Sequence, residues 1–472
     1  MAINIVKDII PVTKVHEQTM RTISLFEYGR SALAHHLYAC DTPGMTATLA
    51  PPASAQTESP HHPLTFWLIA AQFAIFGVTF AMLSVLWKDI IVAVHISEST
   101  FGRILAMMPV AGVPIMLLGG YLGDRIGPRL LPTFGTALMI AFCLLLVGPA
   151  SLMLLLFAVI FQGVGAGIYD VGINAASVDY ERRSPKSVLN ALHACFNAGA
   201  VTGAIATGVL RSVGVPYQAI LAGLAALYGL MLVAIWRVPA PAQTSHATQQ
   251  RDWRGTLRAM RTNRTMRLIA VILCCGLVIE GTMGTWATLY LRTNIGLAAW
   301  IGGIGYALFN VTMTIGRLMN QRLLAWIGPR AALIGAGGAI VVVNALTLLT
   351  RQPWLVIIGF GAFGVVTAGV FPTGFIIVGR IAPGAMGLVS AVLFAFSYLA
   401  WAASSPLVGG IADALSLRIA LGILGIGGAV IALCALGLPN ERYMKRVLLP
   451  QKPSSGDPSC MMCAEVHDAA NG

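Results

Sequence analysis

Twelve apolar runs, each long enough to cross a lipid bilayer as a helix, constrain this chain more than any other feature. They fall at about residues 65–87, 101–123, 130–148, 151–178, 189–210, 216–236, 268–291, 298–316, 331–349, 353–378, 387–411 and 416–438. At 1.5 Å per residue, a helix of about 20 residues matches a hydrocarbon core ~30 Å thick. Spanning strands would alternate apolar and polar residues, and these runs do not. The 472 residues are 57% hydrophobic and 10% charged, where an average soluble protein carries about 25% charge. The chain reads as an all-α polytopic membrane protein with twelve transmembrane helices, and its length does not divide into soluble domains.

Positive charge sets the expected orientation. With the N-terminus inside, the cytoplasmic loops and C-terminal tail hold twenty Lys and Arg, and the other side holds Lys88, Arg103, Arg211, Arg292, Arg351 and Arg418. That asymmetry places both termini in the cytoplasm of a cell with an inner membrane. The net charge of +12 then reflects topology and an anionic inner leaflet, and it implies no nucleic-acid partner.

The longest connection, residues 237–267, is a basic linker holding seven Arg and the single acid Asp252. It separates an N-terminal six-helix bundle over 61–236 from a C-terminal one over 268–438. Residues 1–60 read as a disordered cytoplasmic tail, with Met45 an alternative start that would make 1–44 an extension, and 439–472 read as a second tail. IGPR at 126–129 recurs at 327–330, as expected of two pseudo-symmetric halves. Cys460 and Cys463 form a CMMC run near His467, short of a complete zinc ligand set. No metal or cofactor is expected, and no phosphate loop, HExxH or GxSxG stretch suggests an ATPase or a hydrolase. GVGAGI at 163–168 lies inside a span with no preceding strand, so it is no dinucleotide loop.

Of the 18 acidic residues, Asp170 and Glu280 fall deep inside apolar runs. A mid-bilayer carboxylate costs roughly 2.5–3.5 kcal/mol on insertion scales, so such a group ordinarily faces a watery cavity and handles protons, ions or solute. Asp170 shares a helix face with Gly163, Ala166, Gly167 and Asn174, whose amide can bond the carboxylate. Glu280 lies near the midplane between Gly276 and Gly284, with Trp286 and Tyr290 following. His193 and Asn197 share a face of span five, and histidine is the side chain most ready to change charge near neutrality. Gln162, Tyr306 and Asn310 are candidates for lining a cavity, with Gln72, Asn344, Phe396 and Trp401 weaker ones. For each of these, a packing or helix-to-helix hydrogen-bonding role is the competing reading.

The stretch GGYLGDRIGPR, 119–129, resembles the loop signature of the major facilitator superfamily, with Gly120, Leu122, Asp124, Arg125 and Gly127 in place and Pro128 departing from it. The corresponding second-half stretch, GRLMNQRLLAWIGPR, has Asn320 and Gln321 where the family usually has Gly-Asp. FQGVGAGIYDVGINAA at 161–176 resembles the fucose–galactose–glucose proton symporter branch, in which an acid precedes an Asn by four residues. EGTMGTWATLYL at 280–291 is similar to a stretch of a poorly characterised bacterial branch of the same superfamily. The resemblance implies two six-helix bundles that rock about a central site and move a small, sugar-like or other organic solute with protons as partner. It also implies an inward gate at Gly120, Asp124, Arg125, Gly127 and Arg129, intact in one half and neutralised in the other. Three alternatives stand beside it: a proton-driven exporter of amphipathic compounds, a non-transporting sensor on a transporter fold, and a membrane enzyme using His193 and Asp170.

Overall fold

The structure is a computed structural model that describes residues 63–126, 129–184, 188–238, 258, 260–381 and 386–440. Six helices form the first half: α1 (Pro63–Val94), α2 (Glu98–Ile126), α3 (Leu130–Val147), α4 (Leu152–Arg183), α5 (Leu189–Ser212) and α6 (Tyr217–Arg237). In the second half, α7 runs through Arg264–Thr282, a π turn at Met283–Ala287, and Thr288–Thr293. It is followed by α8 (Ala299–Ile327), α9 (Pro329–Leu349), α10 (Pro353–Thr367 and Val370–Ile381), α11 (Met386–Ala414) and α12 (Leu417–Ala420 and Gly422–Leu436). Eleven of these are long and apolar enough to cross a membrane. The twelfth, α8, has 29 residues and a more polar face carrying Asn310, Arg317, Asn320, Gln321 and Arg322.

Short connections make successive helices antiparallel, so one face of the molecule holds the start of α1 and the end of α12. We call it the terminal face, and its opposite the distal face. Exposed tryptophans cluster at the helix ends: Trp67, Trp236 and Trp326 at the terminal face, Trp300 and Trp354 at the distal one. Such belts mark the two membrane–water interfaces.

The two halves pack alike. In the first, α1 packs on α5 and α6, α2 on α4, and α3 on α4 and α6; in the second, α7 packs on α11 and α12, α8 on α10, and α9 on α10 and α12. Between the bundles, α2 packs on α11 and α5 on α8. Small residues permit the closest crossings. A Cβ on Gly77 would lie 2.0 Å from Phe196 O, and one on Gly199 would lie 2.0 Å from Ala74 O, so glycines from both partners seat α1 on α5. Without a hydrophobic drive between helices in lipid, such close packing holds them together.

The IGPR repeat has a structural use in each half. Arg129 donates to Val238 O at the end of α6 (2.6 Å) and sits 5.5 Å from the Trp236 ring centroid. Arg330 donates to Ala435 O (3.3 Å) and Leu436 O (2.8 Å) at the end of α12. Each arginine thus satisfies carbonyls that a helix C-terminus leaves orphaned, at its negative dipole end. Gly328, at φ 83°, makes the turn before Pro329, in a region of backbone space that favours glycine.

Several helices outrun their apolar cores. The stretch 119–126 continues α2 rather than forming a loop, and 316–327 likewise belongs to α8. Lys88 and Asp89 sit on α1. Lys88, Asp89 and Asn320 meet neighbouring helices there, where hydropathy alone reads a loop. The tail at 1–60, the CMMC run and most of the basic linker lie outside the described residues.

Candidate functional site

Glu280 lies about 24 Å along α7 from Arg264, at 1.5 Å per residue, on the turn that precedes the π segment. Single π turns frequently occur at functional sites. Its Oε2 is 3.2 Å from Arg317 Nη2 of α8, and Oε1 is 3.4 Å from the same nitrogen. The carboxylate side chain is 19% exposed and the arginine 38%, so the pair borders open space instead of being sealed in a core. Gly281 is required beside it, because a Cβ there would fall 2.3 Å from the indole Nε1 of Trp401. Tyr306 of α8 faces Gly284, with its hydroxyl 3.7 Å from where a Cβ would stand, and interacts electrostatically with Glu280. Asn310 donates back to Tyr306 O (2.9 Å).

Asp170 stands at mid-length of α4, in the other bundle. Asn174 Nδ2 donates to its Oδ1 and to its backbone carbonyl, both at 2.9 Å. The small face ahead of it is where α2 crosses: a Cβ on Gly163 would lie 2.2 Å from Met108 O. Tyr398 of α11 packs edge-on against Trp401 at 6.1 Å between ring centroids. His193 is solvent-exposed, stacks edge-on against Phe73 at 5.1 Å, and interacts electrostatically with Arg317. Among the described residues no bond joins His193 to Asp170. Asn197 is half-buried one turn further along the same helix.

Other candidates sit elsewhere. Trp286 is fully buried and packs on Phe101 of α2 at 5.4 Å, so it fills the contact between the bundles. Gln162 is 1% exposed with its Oε1 lacking a partner. Asn320 is buried and donates to Thr373 Oγ1 of α10 (3.4 Å), while Gln321 is exposed. Gly120, Asp124 and Arg125 lie on the helical end of α2, with their side chains outside the described residues, as is Gly127. Arg129 stays within its own bundle through Val238.

The distal face carries a feature the sequence did not mark. Asp89 of α1 pairs with Arg292 of α7 (Oδ2–Nη1, 2.7 Å) and Arg211 of α5 (Oδ1–Nη2, 2.6 Å). Arg292 also donates to Val85 O (2.5 Å), Lys88 donates to Arg292 O, and Ser84 bonds Thr288 at 2.9 Å. Close backbone crossings lie at the same level: a Cβ on Gly102 would meet Ser405 O at 2.4 Å, and one on Gly303 would meet Ala204 O at 2.4 Å. Seven hydrogen bonds join the two bundles in this distal half. The bundles are thus tied together distally, and His193 and Arg317 are exposed in the terminal half.

Two six-helix bundles packed alike fit a major facilitator fold, and residues 68–365, more than half of the chain, match the Major Facilitator Superfamily; the chain belongs to that family. The membrane protein MosC of Rhizobium meliloti is 24% identical, covering 86% of this chain and 96% of that protein. An uncharacterised MFS-type transporter of Yersinia pestis is 25% identical, covering 71% and 85%. Among solved structures, a variant of the nucleoside transporter NupG superposes with a TM-score of 0.70 at 13% identity, covering 79% of this chain and 99% of that one. A D-xylose–proton symporter superposes with a TM-score of 0.64 at 14% identity, covering 80% and 97%. The E. coli fucose–proton symporter FucP reaches 0.55 at 17%, covering 80% and 99%. These likenesses agree with the twelve-helix, two-bundle reading of the sequence.

Proposed function

We propose that this protein moves a small polar organic solute across an inner membrane by alternating access, with proton coupling. The observation that carries the proposal is a mid-span carboxylate in each bundle, Asp170 and Glu280, in two bundles tied together distally, with His193 and Arg317 exposed toward the terminal side. The charge asymmetry makes the terminal face cytoplasmic, so the conformation described is the inward-facing one.

The two acids take different parts. Glu280 already has a counter-ion in Arg317. Asp170 accepts from the neutral amide of Asn174 and has no cationic partner among the described residues. An uncompensated carboxylate in a low-dielectric setting gains most from a proton, so Asp170 is the proton site. Glu280, Arg317, Tyr306, Tyr398 and Trp401 offer the mix of charged, hydroxyl and aromatic groups that holds a polar solute. Asn174, Asn197, His193, Asn310 and Gln162 support that site. Gly120, Asp124, Arg125 and Gly127 form the inward gate, with Arg129 fixing the chain beside it to α6. The neighbouring nucleoside and sugar transporters favour a hydroxyl-rich solute.

The test is flux of purified protein in proteoliposomes, with solutes chosen by a thermal-shift screen of sugars, nucleosides, organic acids, amino acids and amphipathic drugs. Accumulation driven by an inward-acid or inward-alkaline gradient gives the coupling direction. Ligand binding without flux for any solute that raises stability would turn the reading to a sensor.

A further inference from the structure

The distal lock joins α1 to α7, the first helices of the two halves, yet it is not symmetric. Ser84 meets Thr288 and, one helical turn on, Lys88 meets Arg292, each pair 204 residues apart. The IGPR repeat gives an offset of 201. At any register from 201 to 204, the second-half counterpart of Asp89 is Tyr290, Leu291, Arg292 or Thr293, none of them acidic. The ion pairing between α1 and α7 therefore rests on one carboxylate, while Lys88 bonds the backbone carbonyl of Arg292.

That carboxylate is shared between two guanidiniums that belong to different bundles. Arg211 is on α5, in the same bundle as Asp89, and Arg292 is on α7, in the other. Asp89 is 12% exposed, Arg292 9% and Arg211 21%, so water screens the group little. Breaking a poorly solvated ion pair is costly chiefly because one charge is left unpaired. When α7 withdraws, Asp89 keeps Arg211 and Arg292 alone is stripped of its carboxylate.

We propose that Asp89 is a transferable latch: Arg292 holds the distal gate shut, and Arg211 eases its opening by retaining the carboxylate. The two arginines on one acid then act in opposite directions. The inference rests on the alternating-access reading above, to which it adds the residues that set the balance between the two faces.

The experiment introduces Ser84→Cys, at a position 1% exposed in the closed gate, and follows the rate of labelling by a fluorescent maleimide in purified protein, corrected for the native cysteines. Arg292→Gln is expected to raise the rate roughly tenfold, as loss of a poorly solvated partner would, and Asp89→Asn to raise it similarly. Arg211→Gln is expected to lower it at least twofold, because opening then leaves Asp89 bare. Arg292→Lys, which keeps charge without the fork geometry, should fall between Arg292→Gln and the parent. Each variant must elute as a single species on gel filtration, and if a Gln variant aggregates, the order of Arg292→Lys and Arg211→Lys about the parent carries the same test. Equal changes in one direction for both arginines would overturn the latch. A parent whose Ser84→Cys site never labels, together with no solute flux, would instead sink the alternating-access reading.

Discussion

Glu280 on α7 and Arg317 on α8 form an ion pair of 3.2 Å within the second bundle, whereas Asp170 in the first is bonded to the neutral amide of Asn174. This contact turns one of two superficially equivalent mid-span acids into half of a neutral pair. The acids therefore respond differently to mutation.

Glu280→Gln and Arg317→Gln should each weaken solute binding at least tenfold, since each leaves its partner unpaired in the site. The double substitution should recover thermal stability relative to Arg317→Gln, giving a coupling of about 1 kcal/mol. A thermal-melt cycle with no coupling would remove the pair from the argument.

Asp170→Asn should fold and melt as the parent does, because the amide keeps the shape and removes the insertion penalty of a charge. Gradient-driven accumulation should be lost while downhill exchange of the same solute persists. Loss of both would assign Asp170 to solute contact or gating.

Gly102→Ala and Gly303→Ala each drive a methyl into backbone 2.4 Å away across the bundle interface. The distal crossing has to separate to admit it. Faster labelling at Ser84→Cys is expected in both, with little change in melting temperature if the bundles simply rock apart.

Arg129→Ala and Arg330→Ala should lower stability by similar amounts, about 1 kcal/mol each, from loss of a C-terminal cap. Thermal melts of the two variants provide the check. A large transport defect confined to Arg129→Ala would mean that the first-half arginine has a gating part beyond its cap.

Orientation is checked with reporters. A fusion after Arg254 should behave as cytoplasmic and one near Asn294 as periplasmic, and the reverse would overturn the inward-facing assignment.

The spans, their number and the doubling of the chain were legible in the sequence, because a bilayer imposes one length and one polarity on every crossing helix. Asp170 with Asn174 was legible too, since residues four apart on a helix must meet. Arg317 was not. It follows the last residue of an apolar run and so reads as a loop charge, although it lies well inside α8 and meets an acid 37 positions earlier. Asp89 and Arg292 are 203 residues apart, and each looks like an ordinary charge at a membrane edge. Trp286 looked like a cavity aromatic and instead packs on Phe101 between the bundles. Hydropathy and helical periodicity report each helix against its solvent. Which polar side chains meet across helices depends on how the bundles are seated, and only the tertiary structure decided that.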